Sequence, residues 1–142
     1  MTQIQDWAGS EEYLVEFEDV WAEYRHMVSK GVTTFADVQV RDLFQKLSII
    51  QAHSEMRLSV VEAARDAEKV ALHLVEIRLL RIFDTGAMNK RMSEVESDDR
   101  YKEALEKLSD TEDAVTVAKG SAKATSTAAN ALSREISARL KG

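Results

Sequence analysis

Apolar residues recur at steps of three and four along three segments of this chain, the period of helices that bury one face. In the first, Leu14, Phe17, Trp21, Tyr24 and Val28 form a stripe, which Tyr13, Val20 and Met27 widen. The spacing predicts a helix over about 10–30, buried over a broad face. Ser10 is its expected N-cap, with Glu11 and Glu12 favourable against the helix dipole, and Gly31 stands where a left-handed C′ residue ends a helix. Trp7 is expected to pack as a staple ahead of it.

The second segment covers 34–84. Thr33 or Thr34 is the expected cap, with Asp37 at the capping-box distance from Thr34. Apolar positions follow at Phe35, Val38, Leu43, Leu47, Ile50, Leu58, Val61, Ala64, Ala71, Leu74, Ile77 and Leu80. One continuous helix here would run about 75 Å at 1.5 Å per residue, so a break near Gln51–Ser54, where apolar density dips, is the alternative. Asp84-Thr85-Gly86 ends the segment, with Gly86 as a left-handed cap, and Ala87–Glu96 reads as a connector.

Ser97-Asp98-Asp99 caps and opens the third segment, over 97–140. Its stripe is read as Tyr101, Leu105, Leu108, Val115, Ala118, Ala122, Ala129, Leu132, Ile136 and Leu140. The stretch 114–131 is mostly Ala, Ser, Thr and Lys with Gly120 in the middle, so each residue there buries little area. The pattern as a whole predicts an all-α fold: an elongated, coiled-coil-like bundle of three to four long amphipathic helices in a single domain over 1–142.

Composition sharpens this picture. The absence of proline leaves long helices open throughout, and turn clusters between alternating apolar runs, the mark of β proteins, are missing. With no cysteine there is no disulfide, thiolate metal site or cysteine nucleophile. The apolar run Val70–Phe83 is interrupted by His73, Glu76, Arg78 and Arg81, so it does not read as a membrane span. The N-terminal residues show no signal-peptide pattern, and a cytoplasmic location is expected. The net charge of −6 is uneven: −5 over residues 1–30 against +4 over residues 114–142. Charge complementarity within one bundle is the expected reading of that layout, with a nucleic acid or head-to-tail pairing of subunits as the alternatives.

Chemistry is sparse. Glu23 and His26 form one Glu-x-x-His, but carboxylate-bridged di-iron bundles need two, and His53 and His73 follow Ile50 and Val70 at that spacing. No Gly-x-Ser-x-Gly or phosphate-binding glycine loop occurs. The paired acids Asp98-Asp99 and Asp110/Glu112/Asp113 fit a helix start and a solvated face. No catalytic, cofactor or metal residue is assigned.

Two candidate surfaces remain. Val70–Phe83 carries apolar residues almost all round, so Val70, Leu74, Ile77, Leu80 and Phe83 are the candidate oligomer interface. Arg78, Arg81, Lys90, Arg91, Arg100 and Tyr101 are candidate nucleic-acid contacts about a turn at Gly86. A long helix ending in Arg78, Leu79, Phe83 and Gly86, with Asp99-Arg100-Tyr101 opening the next, is similar to the layout of phage recombination mediators. Those are small oligomeric helical proteins, and the likeness implies a role in loading recombinase onto single strands. The favoured expectation is a non-enzymatic structural or adaptor protein that self-assembles. Its expected partners are a second copy and another protein; the alternative is a nucleic-acid accessory protein using the basic turn and tail.

Overall fold

In a computed structural model, residues 11–142 are described, with side chains from Val15 onward. Trp7 and Ser10, and with them the expected staple and first cap, lie outside the described residues. Helices make up 92 % of those described, and no strand occurs among them. Among the described residues four α-helices follow one another: α1 (Glu11–Lys30), α2 (Asp37–Ile82), α3 (Met88–Ser97) and α4 (Asp99–Lys141), with a 3₁₀ turn at Val32–Thr34. α2 passes through 51–54 without interruption, and Ser54 is buried there.

The residues group into two compact units. The first takes α1, the N-terminal half of α2 up to Ser59 and α4 from Ala118 onward. Its core joins Met27 to Val40, Leu43 and Leu47 of α2 and to Ala128, Ala129 and Leu132 of α4. Val20, Trp21, Tyr24, Phe44 and Ile136 pack around them. Met27, expected at the margin of the α1 stripe, is buried, while Val28 is half exposed. α1 therefore turns its face toward Val20, Tyr24 and Met27, one position back from the predicted line. Trp21 is half-buried, stacked on Phe17 at 6.2 Å and against Tyr24 at 5.4 Å.

The join between α1 and α2 departs from expectation. Gly31 adopts φ +91°, the left-handed form open to glycine, but Thr34 does not cap α2. Its hydroxyl donates back to the Gly31 carbonyl at 2.7 Å, closing the 3₁₀ turn. α2 starts three residues later than predicted, where the Gln39 side chain accepts the Ala36 N–H at 2.9 Å, half of a capping box. Arg139 fastens this corner to the end of α4. Its guanidinium meets Asp37 at 2.6 Å, Glu135 at 2.9 Å and the Val32 carbonyl at 3.0 Å. These carboxylates hold the Arg139 pKa above its ordinary value.

The second unit, Val60–Val117, contains the rest of α2, all of α3 and the start of α4. Its buried side chains are Leu79, Val95, Ala104, Leu108 and Val115. The expected connector at Ala87–Glu96 is mostly helix. Met92 and Val95 turn inward, half-buried and fully buried, while Met88 stays exposed.

Along α4 the inward positions are 101, 104, 108, 111, 115, 118, 122, 125, 129, 132, 136 and 139, every one buried or half-buried. The steps alternate three and four without a slip. Leu105 and Leu140, read as part of the stripe, are exposed; Ala104, Thr111, Thr125 and Arg139 occupy it instead. Thr125 is fully buried because its hydroxyl is satisfied by the Ser121 and Ala122 carbonyls of its own helix, at 2.9 and 3.1 Å.

Candidate interaction face

Within the second unit α2 is apolar on two opposite sides. Leu72, Val75 and Leu79 turn inward, half-buried or buried. At 100° per residue, Ala63, Ala67, Val70, Leu74 and Ile77 fall on the far side, and all five are exposed. Val70 keeps 61 % of its surface open, Leu74 46 % and Ile77 36 %. Of the predicted interface residues the structure therefore brings Val70, Leu74 and Ile77 onto one solvent-facing line, whereas Leu80 and Phe83 are half-buried off it. Ala63 and Ala67 extend the line by two turns toward the N-terminus. The predicted stripe runs instead through Ala64 and Ala71, off this line.

The six candidate nucleic-acid contacts also lie in this unit, and two of them, Arg78 and Arg100, line one groove. Arg91 is spent on the fold: its Nε donates to the Phe83 carbonyl and its Nη2 to the Leu80 carbonyl, both at 2.7 Å. It satisfies carbonyls at the end of α2 that have no helical partner. Gly86, at φ +96°, turns the chain so that α3 brings Arg91 back to them. Arg100 is held by Asp98, with Nε at 3.0 Å and Nη2 at 2.9 Å, while the Arg100 N–H donates to the same carboxylate at 2.8 Å. Asp98 is thus the N-cap of α4. Hydrogen bonds from the Arg100 side chain and backbone hold its carboxyl below the usual range. Arg78, Arg81 and Lys90 are exposed, and Tyr101 is half-buried.

Arg78 and Arg100 share a groove of about 430 Å³ with Lys107, over a floor that includes Ala71, Val75 and Leu79. Glu68 and Glu103 line the same groove, so its cations are offset by acids rather than gathered for a phosphate. The unit as a whole holds fourteen acids against nine bases.

Elsewhere, Glu23 pairs with Lys46 at 3.2 Å, and the His26 ring sits edge-on to Phe35, which accounts for the lone Glu-x-x-His. No group of three or more potential ligands that could hold a metal ion assembles among the described residues. No helix among them is long and apolar enough to cross a membrane. Comparison with protein-family models, with curated proteins and with solved structures yields no match.

Proposed function

We propose that this chain is a non-enzymatic structural or adaptor protein that self-assembles through α2. The observation that carries the reading is the exposed line Ala63–Ala67–Val70–Leu74–Ile77, whose steps of four and three are those of a coiled-coil seam. A solvated helix face ordinarily carries charge or polar groups; here five consecutive seam positions carry none. The unbroken alternation of threes and fours along α4 supports coiled-coil packing inside the units as well, since a 3.5-residue repeat winds helices left-handedly about one another. Because α2 already buries its other side, the exposed line is free to take up a further helix. The experiment is sedimentation equilibrium over a concentration series. The average mass is expected to rise from 16.0 kDa toward a defined multiple, and to stay at 16.0 kDa in Leu74→Asp with helix content unchanged. A wild-type chain that remains monomeric throughout defeats the proposal.

A further inference from the structure

We infer that the occupant of this face is the same face of a second copy, laid antiparallel. The inference rests on the self-assembly reading above and adds the partner and its direction. The line has a polarity of size: Ala63 and Ala67 at its N-terminal end, Val70, Leu74 and Ile77 at its C-terminal end. Laid parallel in register, two copies would stack alanine on alanine and then leucine on leucine, leaving a gap at one end and crowding at the other. Laid antiparallel, Ala67 faces Ile77 and Val70 faces Leu74, so each layer sums a small or medium side chain with a larger one and the helices keep one spacing.

Charge points the same way. The seam position after Ile77 is Arg81, exposed. Parallel pairing sets Arg81 against its own copy, a like-charge layer that repels, whereas antiparallel pairing sets it against Ala63. The turn around Ala63 is net negative, Glu62 and Asp66 sharing the one Arg65 at 3.9 and 3.2 Å. Arg78 and Arg81 make the other end net positive, and reversal lays unlike ends together. The resulting interface is isologous, with its two-fold axis between Val70 and Leu74. Its apolar stripe falls short of the roughly 800 Å² per partner of a standard interface, so the dimer is expected to come apart on dilution.

The chain has no cysteine, which allows single spin labels without further substitution. In Arg81→Cys the labelled position lies about nine residues from the axis. Antiparallel copies then separate the two labels by about 27 Å along the helix, while parallel copies hold them near the interaxial distance of about 10 Å. A mixture of labelled Ala63→Cys and Arg81→Cys chains is expected to show the short distance instead. Dipolar spectroscopy on the dimer, with Val70→Lys and circular dichroism as a folded control that should abolish it, makes the test. A short Arg81–Arg81 distance overturns the antiparallel arrangement and leaves self-assembly standing. A dimer that survives Val70→Lys overturns the face, and a monomer at every concentration defeats the underlying reading as well.

Discussion

Gly120 stands in the interior of the 43-residue α4 with nothing within 4 Å of where a Cβ would project, and its φ is ordinary for a helix. Glycine there brings only the entropy of a more flexible unfolded chain and gains no close approach in return. Gly120→Ala is therefore expected to stabilise by about 1 kcal/mol, read as a rise in melting temperature. A fall would mean that the backbone there is tighter than its open surroundings imply. Leu43 is the opposite case, fully buried between all three helices' contributions to the first core. Leu43→Ala leaves a cavity in the cluster it shares with Met27, Ala129 and Leu132 and should destabilise by about 2–5 kcal/mol in chemical denaturation. Trp21, only half-buried on its aromatic neighbours, is expected to matter less than its size alone would imply.

Among the elements, α3 depends most on one side chain. It has ten residues, below the length at which an isolated helix holds in water, and one fully buried anchor, Val95. Arg91 supplies the rest by linking it to the end of α2. Arg91→Met keeps the apolar stem and removes two charge-assisted bonds, so it should cost about 1–3 kcal/mol and speed hydrogen exchange in α3 ahead of the other helices. Uniform exchange would show that Val95 alone suffices. This element also marks where sequence reading ended. Long stripes, glycine stops and the cap at Asp98 were legible, because three-and-four spacing and capping chemistry are local. α3 was not, since of its apolar residues only Met92 and Val95 turn inward. The seam of α4 departs from the predicted stripe at both ends, where Ala104 and Arg139 turn inward in place of Leu105 and Leu140. That Arg139 ties Val32 and Asp37, more than a hundred positions away, is tertiary information. The candidate face was legible in its larger residues and not in Ala63 and Ala67, and Arg91 and Arg100 could not be seen to be already engaged.

At the scale of the whole molecule, the charge layout bears on the two functional readings. The acidic front and basic tail of the chain meet in the first unit, whose described residues hold ten acids and ten bases. Of the tail's cations, Arg139 is engaged within the chain, by Glu135 and Asp37. The excess of acid falls in the second unit, where the basic turn lies. Binding to single strands gains most of its free energy from releasing counterions held by phosphates, and that gain grows with the number of uncommitted cations facing the backbone. Here Arg91 and Arg100 are committed within the chain, and Arg78 shares its groove with Glu68 and Glu103. Arg81 and Lys90 remain, against a unit whose own field repels phosphate. A fluorescent single-stranded oligonucleotide titrated with the protein at low salt, where such binding is strongest, should therefore show no saturable rise in anisotropy. Saturable binding that weakens steeply with added salt, and is lost in an Arg81→Glu, Lys90→Glu variant, would restore the nucleic-acid reading and make the exposed α2 line an accessory to it.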